Sequence, residues 1–188
     1  MADLLSGKLV RLTAEEPKTL AEAYSRWSHD SEYWRLETSD CARQFSVWGI
    51  QKELEKELEK ESENNFFFHI RTLADDRLIG NVGLDGVRWQ HGESFVGIGL
   101  GEREFWGRGY GTDAMRVILR YAFQELNLRR VSLDVFEYNP RAVRSYEKAG
   151  FRHEGCARGY LLREGRRWDL LFMGILRQDW LALPTEDR

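Results

Sequence analysis

The 188 residues carry 28 Lys and Arg against 31 Asp and Glu, a net charge of -3, so no global basic field draws the chain to nucleic acid or to a membrane surface. A hydrophobic share of 42% is ample for a packed core, and the length fits one domain spanning residues 1–188. Met1 to Gly7 lacks a basic region followed by an apolar stretch, and no later segment is long and apolar enough to span a bilayer, so a cytoplasmic location is expected. The slight acidic excess favours cationic substrates.

In chain order, Lys8 to Leu12 alternates basic and apolar residues as a half-buried strand does, and Pro17 suits the first turn of a helix through Tyr24 and Trp27. From Ser46 to Asn64, Val47, Ile50, Leu54 and Leu58 share one helical stripe, while Lys52, Lys56, Lys60 and Glu53, Glu57, Glu61 lie outside it as a solvated face. Phe66 to Leu73, Leu78 to Val87 and Ser94 to Leu100 read as a three-stranded antiparallel meander, with turns at Ala74–Arg77 and Gln90–Gly92. Glycines 80, 83, 86, 97, 99 and 101 weaken these strands and suggest bulges or close backbone approach.

Gly109 opens the most regular helix, in which Met115, Ile118, Leu119, Ala122, Phe123 and Leu126 keep the helical period. Arg130 to Phe136 reads as a buried strand, and Asn139-Pro140 starts a short helix ending near Gly150. Phe151 to Leu162 and Arg167 to Leu176 then form a hairpin around Glu164-Gly165. The fold class is therefore α+β, a mixed, mostly antiparallel sheet of about seven strands flanked by about four helices.

Cys41 and Cys156 are far apart and read as free thiols, and His29, His69, His91 and His153 form no local ligand pair, so no metal is expected. The chemistry points elsewhere. Trp106-Gly107-Arg108-Gly109-Tyr110-Gly111-Thr112 joins a strand to the strongest helix, where unpaired backbone N–H groups converge. The three glycines remove Cβ atoms that would block a diphosphate, Arg108 adds charge, and Thr112 adds a hydroxyl. Alternating glycines also suit a merely tight strand-to-helix connection, and context decides. A dinucleotide fold would put such a turn after the first strand of a βαβ unit, and a nucleoside-triphosphatase loop would continue Gly-Lys-Ser/Thr; neither pattern is present.

This segment resembles the acetyl-CoA-binding motif of the GNAT acetyltransferase superfamily, Arg/Gln-x-x-Gly-x-Gly/Ala, with Trp106 at the first position, and is similar to the variant found in the ribosomal-protein-alanine acetyltransferase group. The run Asn139-Pro140-Arg141-Ala142-Val143-Arg144-Ser145-Tyr146-Glu147-Lys148-Ala149-Gly150-Phe151 resembles the second hallmark of that superfamily. Two motifs in the right order are far more specific than one. Locally Asn139 can cap the helix, Pro140 occupies its first turn, and Gly150 ends it.

The resemblance implies a GNAT fold splayed between the fourth and fifth strands, with pantetheine lying in the opening like an added strand. Backbone amides near Leu100 and Gly101 would bind it and polarise the thioester carbonyl. It also implies Asn139 as a contact to the cofactor or an ordered water, and Tyr146 as the acid that protonates the departing thiolate; a phenol of pKa about 10 can do so. The competing reading of Tyr146 is a core tyrosine on the face of Ala142 and Ala149. A primary ammonium, of pKa about 8 for an α-amine or about 10.4 for a lysine-like one, must lose a proton before attack. Asp134 falls where some protein N-terminal acetyltransferases of the superfamily carry a glutamate base; Glu137 and Glu102 are further candidates, with solvated charge the competing reading.

The activity so implied is direct transfer of acetyl from acetyl-CoA to a primary amine, with no covalent enzyme intermediate. The segment Gly165 to Gly174 resembles the ribosomal-protein group, which makes a peptide α-amine the first acceptor; a polyamine or an aminoglycoside is the alternative. A different class, a non-catalytic acyl-CoA-binding regulatory module, would keep the glycine turn and dispense with Tyr146 and Asp134. Trp34, Trp48 and Trp89 could build a homodimer interface or a pocket wall, against a core position for each.

Overall fold

The computed structural model describes residues 3–58, 63–185 and 188. Seven strands form one sheet: β1 (Val10–Thr13), β2 (Phe66–Thr72), β3 (Leu78–Arg88), β4 (Glu93–Leu100), β5 (Arg130–Phe136), β6 (Arg152–Arg163) and β7 (Arg166–Leu176). They lie in the order β1-β2-β3-β4-β5-β7-β6, antiparallel throughout except for β4 and β5, which run parallel. Among the described residues the helices are α1 (Pro17–Ser28), α2 (Ser31–Glu37), α3 (Val47–Leu58), α4 (Tyr110–Arg120), α5 (Pro140–Lys148) and α6 (Arg177–Leu181). Sheet and strands match the pattern expected from the sequence.

The differences have local causes. α2 and α6, of seven and five residues, are too short to carry a readable apolar stripe and add to the four helices expected. α2 forms because the Asp30 side chain accepts hydrogen bonds from the N–H groups of Glu32 and Tyr33 at 3.0 and 3.2 Å. Arg103 then pairs with Asp30 and, at 2.7 Å, with Glu32. β1 begins at Val10 and not at Lys8, because the buried Asp113 carboxylate takes the N–H groups of Lys8, Leu9 and Val10 at 3.1, 2.7 and 3.0 Å. The stretch of the helix expected from Ser46 to Asn64 that includes Lys60 and Glu61 lies outside the described residues.

The main core sits between the sheet and α4. Met115, Ile118 and Leu119, with Ala122 and Phe123 in a closing π-type turn, are fully buried against Val82, Leu84, Val131 and Leu133. Each large apolar side chain buried this way contributes about 1.5–3 kcal/mol. On the opposite face, Ala23, Trp27 and Tyr33 form a smaller cluster with Tyr24, Leu78 and Trp106 beneath α1 and α2. The β6–β7 hairpin turns at Glu164 and Gly165, both with positive φ (52° and 72°), the backbone demanded by a two-residue turn that follows strand twist.

Core positions for Trp48 and Trp89 are not realised: they are 72% and 48% exposed. Trp34 is half-buried, with its ring 5.0 Å from that of Phe45. Cys41 and Cys156 are free and exposed. Among the described residues, no helix is long and apolar enough to cross a membrane.

Candidate active site

β4 and β5 pair only at Glu93–Phe95 with Arg130–Ser132. Beyond that point residues 96–100 and 133–136 diverge, which opens a gap in the sheet. The amide of Gly101 donates to the carbonyl of Ile79 at 2.9 Å, and an antiparallel ladder alternates the side to which its peptide groups turn. The peptide groups of Ile98 and Leu100, beyond the last pairing, therefore face the gap, an exposed strand edge ready to accept an extended chain. A cleft of about 360 Å³ occupies this gap, lined by α2, β4, β5, α5 and the turn before α4.

At one end of the cleft stands the N-terminus of α4. Gly109 is its N-cap with φ of 93° and no side-chain cap, so the N–H groups of Tyr110, Gly111 and Thr112 lack a helical partner. Gly107 also takes a positive φ (70°), and a Cβ there would meet nothing within 4 Å: the space beside the turn is open. Thr112 is tied to Ser145 by a hydroxyl–hydroxyl hydrogen bond of 2.8 Å, which joins α4 to α5 at the cleft. Arg141, Arg144 and Lys148, one face of α5, add three cations to the same lining. Helix dipole, free amides and cations make this end a site for an anion with several oxygens.

The turn residues divide into those that face the cleft and those that hold it. Trp106, Gly107, Gly109, Gly111 and Thr112 line it. Trp106, at the position where the family pattern has Arg or Gln, donates its indole N–H to the Leu100 carbonyl at 2.7 Å and lies under the Arg141 guanidinium at 3.9 Å. Arg108 and Tyr110 do not join the lining. Arg108 folds back to the Glu104 carbonyl at 3.1 Å, and the Tyr110 ring packs edge-on against Phe105 at 4.9 Å. Only the backbone of Tyr110 points to the anion site. Gly101 is likewise outside the lining: its amide is taken by Ile79, and a Cβ would run into the Trp27 ring. Of the two backbone contacts expected from the sequence, Leu100 keeps an amide that faces the gap.

The other end of the cleft carries carboxylates. Asp134 lines it from β5, and crowding by protein raises its pKa above the ordinary carboxylate value. Tyr146 lines it from α5, nearly buried; burial above all, then the charges of Glu37 and Asp134, push its phenol well up, so it stays protonated. Asn139 also lines the cleft, with its side-chain oxygen accepting from the Ala142 N–H at 3.2 Å as the cap of α5.

The two further base candidates are otherwise engaged. Burial opposes ionisation of Glu102, but hydrogen bonds from Trp27 at 2.8 Å and Arg26 at 2.6 Å outweigh it and hold the pKa low. Glu137 accepts from the Asp169 N–H at 3.1 Å and lies outside the cleft.

Glu37, at the end of α2, is the cleft residue that the sequence reading passes over. Its carboxylate lies over β4, so close that a Cβ on Gly99 would sit 2.7 Å from both oxygens. The side chain is open to water in the cleft yet ringed by protein, and this crowding pushes its pKa up to about 7. The available signals were the Asp30 N-cap and the i,i+4 spacing to the buried Tyr33, which sets Glu37 on an inward face. Among the described residues no group of three or more His, Cys, Asp or Glu is placed to hold a metal ion.

A sheet that parts beside a helix N-terminus, with a protonated tyrosine in the opening, makes a cleft shaped for an extended ligand that ends in an anion. The chain belongs to the family of the acetyltransferase (GNAT) domain, whose model matches residues 9–152. It is 38% identical over 179 residues to the probable N-acetyltransferase YjcK of Bacillus subtilis (strain 168), covering 94% of this chain and 98% of that protein. It is 32% identical over 108 residues, 57% of this chain and 58% of the other, to the putative ribosomal N-acetyltransferase YdaF of the same organism. Its fold is similar to that of a spermidine N-acetyltransferase from Vibrio cholerae solved with CoA and spermine, with a TM-score of 0.79, 24% identity, and coverage of 92% of this chain and 98% of that one. The protein is an N-acetyltransferase of the GNAT type.

Proposed function

We propose that this chain, as one domain over residues 1–188 acting in the cytoplasm, transfers the acetyl group of acetyl-CoA directly to a primary amine. One observation carries the reading: the peptide N–H groups of Ile98 and Leu100 on β4 turn into the gap between the glycine turn and the carboxylate end of the cleft. Gly107, Gly109, Gly111 and Thr112 would hold the diphosphate, with Arg141, Arg144 and Lys148 beside it. The amides of Ile98 and Leu100 would hold the pantetheine arm, Trp106 would brace Leu100, and Asn139 would contact the carrier or its water shell. The bound thioester supplies an activated acyl group. The protein aligns it with the amine, and Tyr146 delivers a proton to sulphur.

A peptide α-amine is the first acceptor, as the likeness of residues 165–174 to the ribosomal-protein group and the YdaF match support. A polyamine is the second reading, favoured by two carboxylates, Glu37 and Asp134, in the acceptor half of the cleft. Acetyl-CoA incubated with N-terminal peptides, spermidine and aminoglycosides, followed by mass spectrometry, tests both. The addition of one acetyl group to a primary amine is expected. Coenzyme A binding with no acetylated product from the panel would mark a non-catalytic acyl-CoA-binding module instead.

A further inference from the structure

The geometry points to Glu37 as the group that takes the proton from the incoming ammonium, held in place by the β6–β7 hairpin through Arg163; this rests on the amine-acetylating reading above. Glu37 stands where a reacting nitrogen must arrive. Its carboxylate covers Gly99, between the two β4 residues, Ile98 and Leu100, whose peptide groups face the gap. Asp134 and Tyr146 share its cleft.

The carboxylate is also uncommitted. Glu15 is bound by Arg71, Glu102 by Arg26 and Trp27, Glu154 by Arg130, and Glu164 by Arg35. Among the described residues no hydrogen-bond donor and no ion-pair partner reaches Glu37. The groups that face it are phenols and one acid: Tyr24 from α1, Tyr33 from its own helix, Tyr146 from α5 and Asp134 from β5. From β3, Asn81 lies beside Tyr24 and Tyr33, and from β2 the His69 ring meets the Tyr24 hydroxyl at 3.2 Å. β4 presents only the Gly99 backbone. A crowded carboxylate left without a cation is costly, and an ammonium from outside relieves that cost. With a pKa of about 7, Glu37 ionises near neutrality and is a stronger base than an ordinary carboxylate.

Its position is fixed from across the chain. Arg163 donates to the carbonyls of Arg35 and Thr38, both at 2.5 Å, and of Asp40 at 3.2 Å, gripping the backbone on both sides of Glu37. Tyr138 donates to the Arg35 carbonyl at 2.7 Å, and the Arg35 guanidinium pairs with Glu164 at the hairpin tip at 2.8 Å. Arg163 is thus a positioning residue, and Glu37 the catalytic one.

The proton count closes. The ammonium gives one proton to Glu37, and the freed amine forms the N–C bond. As the C–S bond breaks, the sulphur receives the Tyr146 proton. The second proton leaving nitrogen restores Tyr146, and Glu37 passes the first to water, so one proton is released per amide formed.

The test is the pH profile of kcat/KM for the acetylated amine. In the wild type the rate rises with pH through about 7, as Glu37 ionises. Glu37→Gln is expected to lose about 10²- to 10³-fold and the acidic limb together, with acetyl-CoA affinity kept within about twofold. Arg163→Met should move the limb to lower pH as water reaches the loosened carboxylate, and Arg163→Lys should restore part of the shift. A Glu37→Gln enzyme that keeps both rate and limb, or a limb removed only by Asp134→Asn, overturns the inference. Carboxyl ¹³C NMR, assigned by difference from Glu37→Gln, reads Glu37 without turnover. A midpoint at the ordinary 4.5 overturns the inference even if amines are acetylated. A midpoint near 7 in a protein that acetylates nothing sinks the functional reading instead.

Discussion

The two ends of the cleft are built by opposite means. The donor end is backbone: glycines of positive φ, the free amides of α4 and the outward peptide groups of β4, reinforced by cations on α5. The acceptor end is side chain: Glu37, Asp134 and Tyr146, brought together by a seven-residue helix, a strand and a second helix. A backbone cradle recognises a carrier common to many reactions and tolerates change in most side chains around it. A side-chain pocket can be altered residue by residue, which suits it to choose the acceptor. Charge follows the same division, cationic where the diphosphate would sit and anionic where an ammonium would arrive.

Tyr146 stands where the two ends meet, so its removal should produce the largest effect. Tyr146→Phe is expected to lower kcat about 10²- to 10³-fold while leaving the acetyl-CoA dissociation constant within about twofold. Steady-state kinetics with parallel calorimetry checks this, and undiminished turnover removes the residue from the chemistry.

Asp113 probes the donor end from beneath. Asp113→Ala strands the N–H groups of Lys8, Leu9 and Val10, the last fully buried, and should cost about 3 kcal/mol in urea unfolding. A loss under about 0.5 kcal/mol, the range of ordinary surface substitutions, would show that the amides find water instead. Gly107→Ala meets no neighbour, so its penalty is the left-handed backbone alone, about 1–2 kcal/mol. If the turn relaxes to meet it, coenzyme A affinity should fall roughly 5- to 30-fold, whereas acceptor binding stays unchanged.

At the acceptor end the smallest effect is expected of the α2 cap. Asp30→Ala should cost about 1 kcal/mol and raise the acceptor KM without touching coenzyme A binding. The Asp30 pKa is held below 3.8, first by the hydrogen bond from Arg103. A lowered folded-state pKa means that its stabilising contribution is complete above about 3.8 and is lost as pH falls through the lower folded value. Melting curves between pH 6 and pH 2 should therefore converge for wild type and variant at the acid end; parallel curves would contradict the ion pair.

The donor end was legible in the sequence because its elements are contiguous. Trp106 to Thr112 and Asn139 to Phe151 each carry their turn, cap and helix start in one short run. Yet a motif names residues without saying which way they face. Arg108 and Tyr110 turn outward and Gly101 is closed off by Trp27, facts fixed by contacts with Glu104, Phe105 and α1. The acceptor end was legible only in part, because Glu37 depends on distant partners. α2 is held by Arg103, and the backbone around Glu37 by Arg163, and neither pairing leaves a mark in local periodicity. Asp134 could be placed from the family pattern, whereas Glu37 needed the fold.

The central claim is that peptide hydrogens at the start of α4 and along β4 clasp a diphosphate-bearing acyl carrier. Calorimetric titration with coenzyme A and, separately, with pantetheine tests it most directly. One-to-one binding of coenzyme A, with pantetheine at least about tenfold weaker because it lacks the diphosphate, is the predicted result. No heat with coenzyme A, or equal affinity for the two, would contradict it.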